Sequence, residues 1–410
     1  MKPFCVRKTG VADREHNRVM QYLLVLNSGS SSLKFSVFEL ENDKLRSILR
    51  GNLSGIATGE GHFSLKGENH ITIDEDIDLA KHSDAMKQML KWFDENFEGR
   101  ISSVGHRIVH GGSKFVKATQ IDDQMIAELK QLSRFAPLHL PPAIATVEAA
   151  RELFPNVPHV ACFDTSFHRT MPEIARMLPL TKKLFVEDGV EKFGFHGLSY
   201  EFVSAELSKR FGDATGKGKV IIAHMGNGCS MVATVNGKSI DTTMGFSPAG
   251  GQVMGTRSGD IDPGLITYFV SEKKMSSSDF VELLNKKSGL LGLSELNSDM
   301  KKLLDEEESN EDAKRAIEIF CYHARKHIGA LAASLGGLDA LVFTGGIGEN
   351  APPIRQRICN GLRFLGIDID DELNAKNGTR EITRAGSSAR TFVIETNEEL
   401  RIASLSKQFL

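Results

Sequence analysis

The chain is 410 residues long, beyond the size at which single hydrophobic cores stop growing, so two domains are expected. A formal net charge of -3 gives no reason to expect nucleic acid or an anionic membrane surface as partner, and no stretch has the apolar length of a membrane span. Five scattered cysteines (Cys5, Cys162, Cys229, Cys321, Cys359) without CxxC spacing argue against a disulfide framework or a zinc site and fit a reducing cytosol.

Residues 1–19 carry Lys2, Arg7, Lys8, Arg14 and Arg18 but no run of signal-peptide length; they read as a disordered extension, with Met20 a candidate start. An apolar strand, Tyr22–Leu26, then enters the turn Ser28-Gly29-Ser30-Ser31-Ser32, and a second strand, Leu33–Leu40, leaves it with Phe35 and Val37 on one face. Alone, such a hairpin is as a rule just a turn. Its glycine, four serines and Lys34 are also what an anion-holding tip requires, although the G-x-x-x-x-G-K spacing of a Walker loop is absent. Strand-like pieces at His62–Leu65 and His70–Ile73 precede an amphipathic helix around Asp84–Phe93. V-G-H-R-I-V-H-G-G, Val104–Gly112, puts Arg107 at a strand edge; an arginine there is by default a surface residue, but its fork also suits phosphate or carboxylate.

The three prolines of Phe135–Ala143 predict a stiff loop rather than a helix, and a helix follows at Ala145–Leu153. Its His139 is read as structural. Strand His159–Phe163 runs into Asp164, a place where open α/β sheets carry functional residues. His196 stands between glycines ahead of a helix at Tyr200–Phe211, which presents the ring rather than packing it. A second hairpin then repeats the first: strand Val220–Met225, turn Gly226–Ser230, strand Met231–Val235. Two such hairpins suggest a duplicated α/β unit, or coincidence.

Asp241–Gly264 is a glycine-rich loop whose only cation is Arg257. Helices follow at Leu265–Val270, Ser278–Leu284 and Glu311–Leu335, with apolar stripes suited to core or subunit contact, and the acidic run Asp305–Asp312 reads as a solvated loop or helix start. Strand Ala340–Thr344 runs into the diglycine turn Gly345–Asn350, which directs a helix N-terminus at a ligand. Strand Thr391–Ile394 hands over to a last helix at Glu398.

Eight stretches, L-N-S-G-S-S-S-L-K-F, G-H-R-I-V-H-G-G, F-D-T-S-F-H-R-T-M-P, F-G-F-H-G, H-M-G-N-G-C-S, M-G-T-R-S-G-D-I-D-P-G, F-T-G-G-I-G-E-N and T-N-E-E-L, stand in the order and spacing of the acetate kinase family. The chain resembles that family from Met20 onward. The resemblance implies an α/β fold of two duplicated actin-like ATPase (ribonuclease H-like) domains with a nucleotide cleft between them. Residues 20–166 plus 399–410 would form an acyl and phosphate domain, and 167–398 a nucleotide-binding and dimerisation domain. It further implies a cytoplasmic homodimer acting on acetate, acetyl phosphate, ATP and ADP with Mg²⁺, or Mn²⁺ in its place.

By matching position, Asn27 and Glu398 would hold the metal and Lys34 would approach the phosphates. Arg107 and Arg257 would clamp the phosphoryl group, with His196 on its oxygens and Asp164 as an acidic partner. His224, Met225, Gly226, Asn227 and Gly228 would cradle the nucleotide phosphates. Asp299, Met300 and Lys301 with Gly345, Gly346, Ile347, Gly348 and Glu349 would take the adenosine. Val109, Leu138, Phe195 and Pro248, beside Arg107, match a pocket for the acyl methyl. The chain departs from the family pattern at Leu140 and Ala143, where asparagines are usual, at Leu198 and Tyr200, where threonine and histidine are usual, and at Lys301, where arginine is usual. A propionate or butyrate kinase is the runner-up, and an ATP-switch protein of the actin or chaperone type is the alternative from another class.

Overall fold

The computed structural model describes residues 20–29, 31–68, 72–97 and 99–410. The extension 1–19, Ser30 at the hairpin tip and the start of the strand expected at His70–Ile73 lie outside them. The chain divides into two units: the residues up to Ser166 with Asn397–Leu410, and Phe167–Thr396.

In the first unit, β1 (Gln21–Ser28) pairs antiparallel with β2 (Ser32–Glu41), which continues through β3 (Lys44–Ser54), β4 (His62–Gly67) and β5 (Thr72–Asp76). On its other side β1 runs parallel to β6 (Ile101–Ile108), β6 parallel to β8 (His159–Phe163), and β7 (Thr119–Gln120) closes the edge. The order is β5-β4-β3-β2-β1-β6-β8-β7. The central strands read as unbroken apolar runs because helices cover both faces. Leu24, Leu26, Phe35 and Val104 join Met86, Met89, Trp92 and Phe93 of the helix His82–Asn96 in one core. Gly105, the next residue along β6, faces the other way, and a Cβ there would stand 2.6 Å from Ile402 Cγ2 of the helix Glu398–Ser406.

One local reading is corrected here. The proline loop is not a loop throughout: the helix runs Leu140–Leu153, because Pro141 and Pro142 fall in its first turn, where no N–H is needed. Arg107 sits one residue from the end of β6, a central strand between β1 and β8.

The second unit repeats the plan. β9 (Val220–Met225), β10 (Cys229–Val235) and β11 (Lys238–Thr242) form an antiparallel meander, β12 (Ala340–Thr344) lies parallel to β9 and to β14 (Arg390–Val393), and β13 (Arg380–Glu381) forms the edge. The run β11-β10-β9-β12-β14 has the order and directions of β3-β2-β1-β6-β8, so one α/β unit has been duplicated. The helix Glu311–Leu335 starts on Asn310, whose Oδ1 accepts from the amides of Asp312 and Ala313, and stops at Gly336 in the left-handed region at φ 64°. The helix expected at Leu265–Val270 is a short turn, Gly264–Thr267, continuing into a wider π turn, Tyr268–Glu272. The second domain was expected to end at Glu398. The helix Glu398–Ser406 and its cap Asn397 instead belong wholly to the first unit, packed on β1 and β6, so the division falls after Thr396.

Candidate functional site

In the first unit, the ends of β1, β6 and β8 and the start of the helix Glu398–Ser406 bring four polar side chains together. Arg107 Nη2 donates to Asp164 Oδ2 at 2.6 Å and Nε to Oδ1 at 3.3 Å, a two-bond fork, while Nη1 donates to Asn27 Oδ1 at 3.1 Å. Glu398 Oε2 lies 3.8 Å from Arg107 Nε. Asp164 is only 1 % exposed. Burial pulls the Arg107 guanidinium toward losing its proton, but Asp164 and Glu398 outweigh burial and hold it above the ordinary arginine range. Burial raises the Glu398 carboxyl, with Arg107 opposing and Glu399 adding to the rise. Lys34 is exposed on β2, directly opposite Asn27 in the β1–β2 ladder. His82 Nε2, 2.8 Å from the Gly29 carbonyl oxygen, pins the hairpin to the first turn of its helix. Val109 is buried and Leu138 is 40 % exposed.

In the second unit, His196 occupies the left-handed region (φ 59°) as the residue before the helix Gly197–Phe211, which begins three residues earlier than its sequence pattern predicts. That turn rests on His168: a Cβ on Gly194 would stand 2.5 Å from the His168 ring, and His168 Nε2 lies 2.9 Å from the Phe195 carbonyl oxygen. Gly228 is the hub of this region. A Cβ there would lie 3.3 Å from His196 Nε2 and 3.6 Å from Arg257 Nη1, so the bare glycine lets both side chains come close to this turn. Arg257 Nη1 also donates to the Pro248 carbonyl at 2.9 Å. His196 stacks on His224 at 4.3 Å and 21° between planes, and His224 Nδ1 lies 2.9 Å from Ser199 Oγ. Cys229 is no nucleophile, since burial pushes its thiol up to about 12.

Beside these residues is a cavity of about 520 Å³ lined by Gly226, Asn227, Asp299, Met300, Lys301, Gly346, Ile347 and Asn350. Seven of the fourteen nucleotide positions predicted from the sequence, Gly226, Asn227, Asp299, Met300, Lys301, Gly346 and Ile347, line this one cavity. Asp299 and Glu349 are tied up within the fold. Asp299 Oδ1 caps the helix Met300–Glu306 through the amides of Lys301 and Lys302, and Glu349 Oε1 accepts from the amides of Gly345 and Thr396 at 2.8 and 3.0 Å. The Gly345–Asn350 segment is itself a one-turn helix, entered through Gly345 at φ 77° because a Cβ there would meet the Met225 carbonyl oxygen at 2.8 Å.

Sequence reasoning missed Arg355. It is fully buried, and its guanidinium donates to the Gly348 and Glu349 carbonyls at 2.8 and 3.0 Å and to Asn374 Oδ1 at 2.7 Å. Burial pulls it down to about 10. Nothing in the run Arg355-Gln356-Arg357 distinguishes it from its half-buried neighbours. The departures at Leu140 and Ala143 are core residues, 0 % and 2 % exposed, packed among Ile108, Met125 and Phe163.

Two copies of the actin-like ATPase plan, each with its functional side chains at the ends of central parallel strands, define the class. The acetokinase family profile matches residues 22–404. The chain is 41 % identical over 387 residues to an acetate kinase of Rhodopseudomonas palustris, covering 93 % of this chain and 96 % of that one. It is 42 % identical over 390 residues to an acetate kinase of Coprothermobacter proteolyticus, covering 93 % and 97 %. Among solved structures it is similar to a propionate kinase from Francisella tularensis (TM-score 0.89, 38 % identity, 95 % and 100 % covered). It is also similar to Porphyromonas gingivalis acetate kinase (TM-score 0.85, 36 % identity, 95 % and 99 % covered). The chain belongs to the acetokinase family.

Proposed function

We propose that the chain is an acetate kinase, moving the γ-phosphoryl group of ATP reversibly to acetate by direct in-line transfer to give acetyl phosphate and ADP. The observation that carries this reading is the convergence of His196 Nε2 and Arg257 Nη1 over Gly228. An imidazole and a guanidinium gathered at one glycine turn suit a phosphoryl group in transit, whose charge sits on its equatorial oxygens. Acetate arrives ionised, so the difficulty is bringing an anion up to a polyanion. Arg107, held rigid by its fork on Asp164, neutralises charge on the acyl side, and the cavity of the second unit takes the nucleotide. Val109, Leu138, Phe195 and Pro248 would enclose the acyl methyl.

Asn27 and Glu398 fit Mg²⁺, with Mn²⁺ as a substitute. Their side-chain oxygens meet around one guanidinium, Asn27 Oδ1 at 3.1 Å and Glu398 Oε2 at 3.8 Å from Arg107 nitrogens, and Mg²⁺ characteristically takes one or two protein oxygens and completes its shell with water and phosphate. Among the described residues, no group of three or more histidine, cysteine or acidic side chains forms an alternative metal centre. When bound, the metal would neutralise the β- and γ-phosphate oxygens. Asn27 and Glu398 orient it, and Arg107, in contact with both, is placed by the same side chains.

A homodimer belongs to this reading. Ile266, Tyr268 and Val281 are 52 %, 46 % and 50 % exposed on successive helical segments of the second unit, the kind of apolar surface that subunit contact covers. Residence in the cytoplasm fits the absence, among the described residues, of a helix long and apolar enough to cross a membrane. The deciding experiment is a matrix of carboxylic acids against phosphoryl donors, with acyl phosphate trapped as hydroxamate. Acetate with ATP should give the highest kcat/KM. A higher value for propionate would move the assignment toward the activity named for the Francisella relative, and no acyl phosphate from any acid would refute the kinase reading.

A further inference from the structure

His196 is tethered by its Nδ1 edge, and the tether leads to a residue at which this chain departs from its family's pattern. Ser230 Oγ lies 2.7 Å from His196 Nδ1, and the Tyr200 hydroxyl is hydrogen-bonded to the same oxygen. Tyr200 and Ser230 are both 0 % exposed, so neither hydroxyl can exchange its partner for bulk water. A phenol keeps its proton to a pH of about 10 and is a stronger donor and weaker acceptor than an aliphatic hydroxyl. Tyr200 O–H is therefore the favoured donor to Ser230 Oγ, which leaves the Ser230 proton available to His196 Nδ1. An imidazole whose Nδ1 accepts carries its proton on Nε2. That is the ring nitrogen nearest Gly228, where a Cβ would lie 3.3 Å from it and 3.6 Å from Arg257 Nη1.

We propose that Tyr200 acts through Ser230 as a positioning residue that holds His196 as its Nε2–H tautomer, so that the imidazole donates to the phosphoryl oxygen bound beside Arg257. This rests on the reading of His196 and Arg257 as a phosphoryl clamp. The phenol is itself fixed, edge-on to His168 at 5.6 Å and 82° and packed on Phe167 at 6.0 Å. The histidine usual in the family could act in this relay as donor or acceptor. Near neutral pH the tyrosine keeps its proton and is the better donor of the two hydroxyls, which favours one direction in the relay.

The test uses the full chain labelled with ¹⁵N-histidine, His196 being assigned by the signal lost in His196→Asn, alongside steady-state kinetics of Tyr200→Phe. In the wild type, Nδ1 should be the unprotonated, pyridine-like nitrogen. Tyr200→Phe should show a mixture of tautomers and about a tenfold lower kcat, with KM for acid and nucleotide within about twofold of wild type. A merely structural tyrosine would leave the tautomer untouched. Wild-type His196 protonated at Nδ1 overturns the proposal, and so does a Tyr200→Phe variant unchanged in both tautomer and kcat. If Tyr200→Phe lowers the melting temperature substantially, Ser230→Ala breaks the same relay one link closer to the ring and is judged by the same readouts. If the wild type transfers no phosphoryl group to any carboxylate, the phosphoryl-clamp reading fails, while the tautomer still decides whether the relay exists.

Discussion

Replacing Asp164 by asparagine separates two roles for that carboxylate, handling a proton and holding an arginine. Its oxygens face the Arg107 guanidinium at 2.6 and 3.3 Å in a setting that excludes water. The acceptor acid, with a pKa of about 4 to 5 judged from side-chain carboxyls, is ionised at neutral pH and has no proton to give up. Asparagine keeps the shape and one acceptor oxygen but turns an N–H toward the guanidinium. Removing one partner of a buried ion pair costs about 3 to 5 kcal/mol, since the other charge stays buried. Arg107 retains Asn27 at 3.1 Å and Glu398 at 3.8 Å, so the loss in folding stability should fall near the lower end of that range. In turnover, loss of one preorganised donor is worth about 100- to 1000-fold, the fall expected in kcat if the freed guanidinium leaves its place. Hydroxamate trapping at several Mg²⁺ concentrations, with urea unfolding of both proteins, measures the two effects. Recovery of Asp164→Asn activity by small exogenous bases along a Brønsted trend would refute this reasoning and restore a general-base role. Wild-type turnover would remove the pair from the site.

Alanine at Arg107 or at Arg257 should each reduce kcat by roughly three orders of magnitude or more, with lysine recovering only part because the fork is lost; hydroxamate assays decide, and wild-type turnover would exclude that arginine. His168 is held neutral by burial, which pulls it from 6.5 to about 4. The unfolded chain therefore takes up a proton that the folded chain refuses, and stability that is full above pH 6.5 is lost as the pH falls toward 4, by up to about 3 kcal/mol. Urea titrations at pH 7 and 4.5 should show that loss shrinking in His168→Asn, and an equal loss in both proteins would contradict the assignment. Arg355→Met should take the guanidinium donors from the Gly348 and Glu349 carbonyls and from Asn374 Oδ1, lower the melting temperature and raise the nucleotide KM about tenfold or more while sparing the acid KM, with Arg355→Lys in between. An unchanged nucleotide KM in Arg355→Met would show that the turn it clamps does not depend on it.

Strands His159–Phe163, Val220–Met225 and Ala340–Thr344 were legible to the residue, since each is a bounded apolar run buried on both faces. Strand Lys44–Ser54 was not, because alternation with lysine, arginine and serine on an open face carries little signal. The helix at Leu140 was hidden by prolines that its first turn tolerates, and the central place of Arg107 by the fact that sheet order is not a local property. The charged residues of the site were legible only as a family pattern. Arg107, Asp164 and Glu398 come from distant parts of the chain, and no local periodicity connects them. The tether of His196 lay deeper still: Tyr200 stood out in the sequence as a departure, but Ser230, 30 residues further on, gave no sign that it joins the two.

The duplication explains why the two units carry different chemistry on the same plan. The strand that follows the meander carries Arg107 one residue from its end in the first unit and ends at Thr344, before Gly345, in the second; the next parallel strand leads into Asp164 in the first and toward Thr396 in the second. Where the first unit places a guanidinium on a carboxylate, the second places a glycine turn whose backbone is held from one end by Glu349 and from the other by Arg355. A side chain that must neutralise charge needs a rigid counter-ion behind it, and a backbone that must lie against a flat ligand needs glycine in front and its own polar groups satisfied behind. Equivalent strand ends thus diverged by exchanging side-chain charge for backbone access, and in both units the supporting residue, Asp164 or Arg355, is buried and directed at the segment it supports rather than at open solvent.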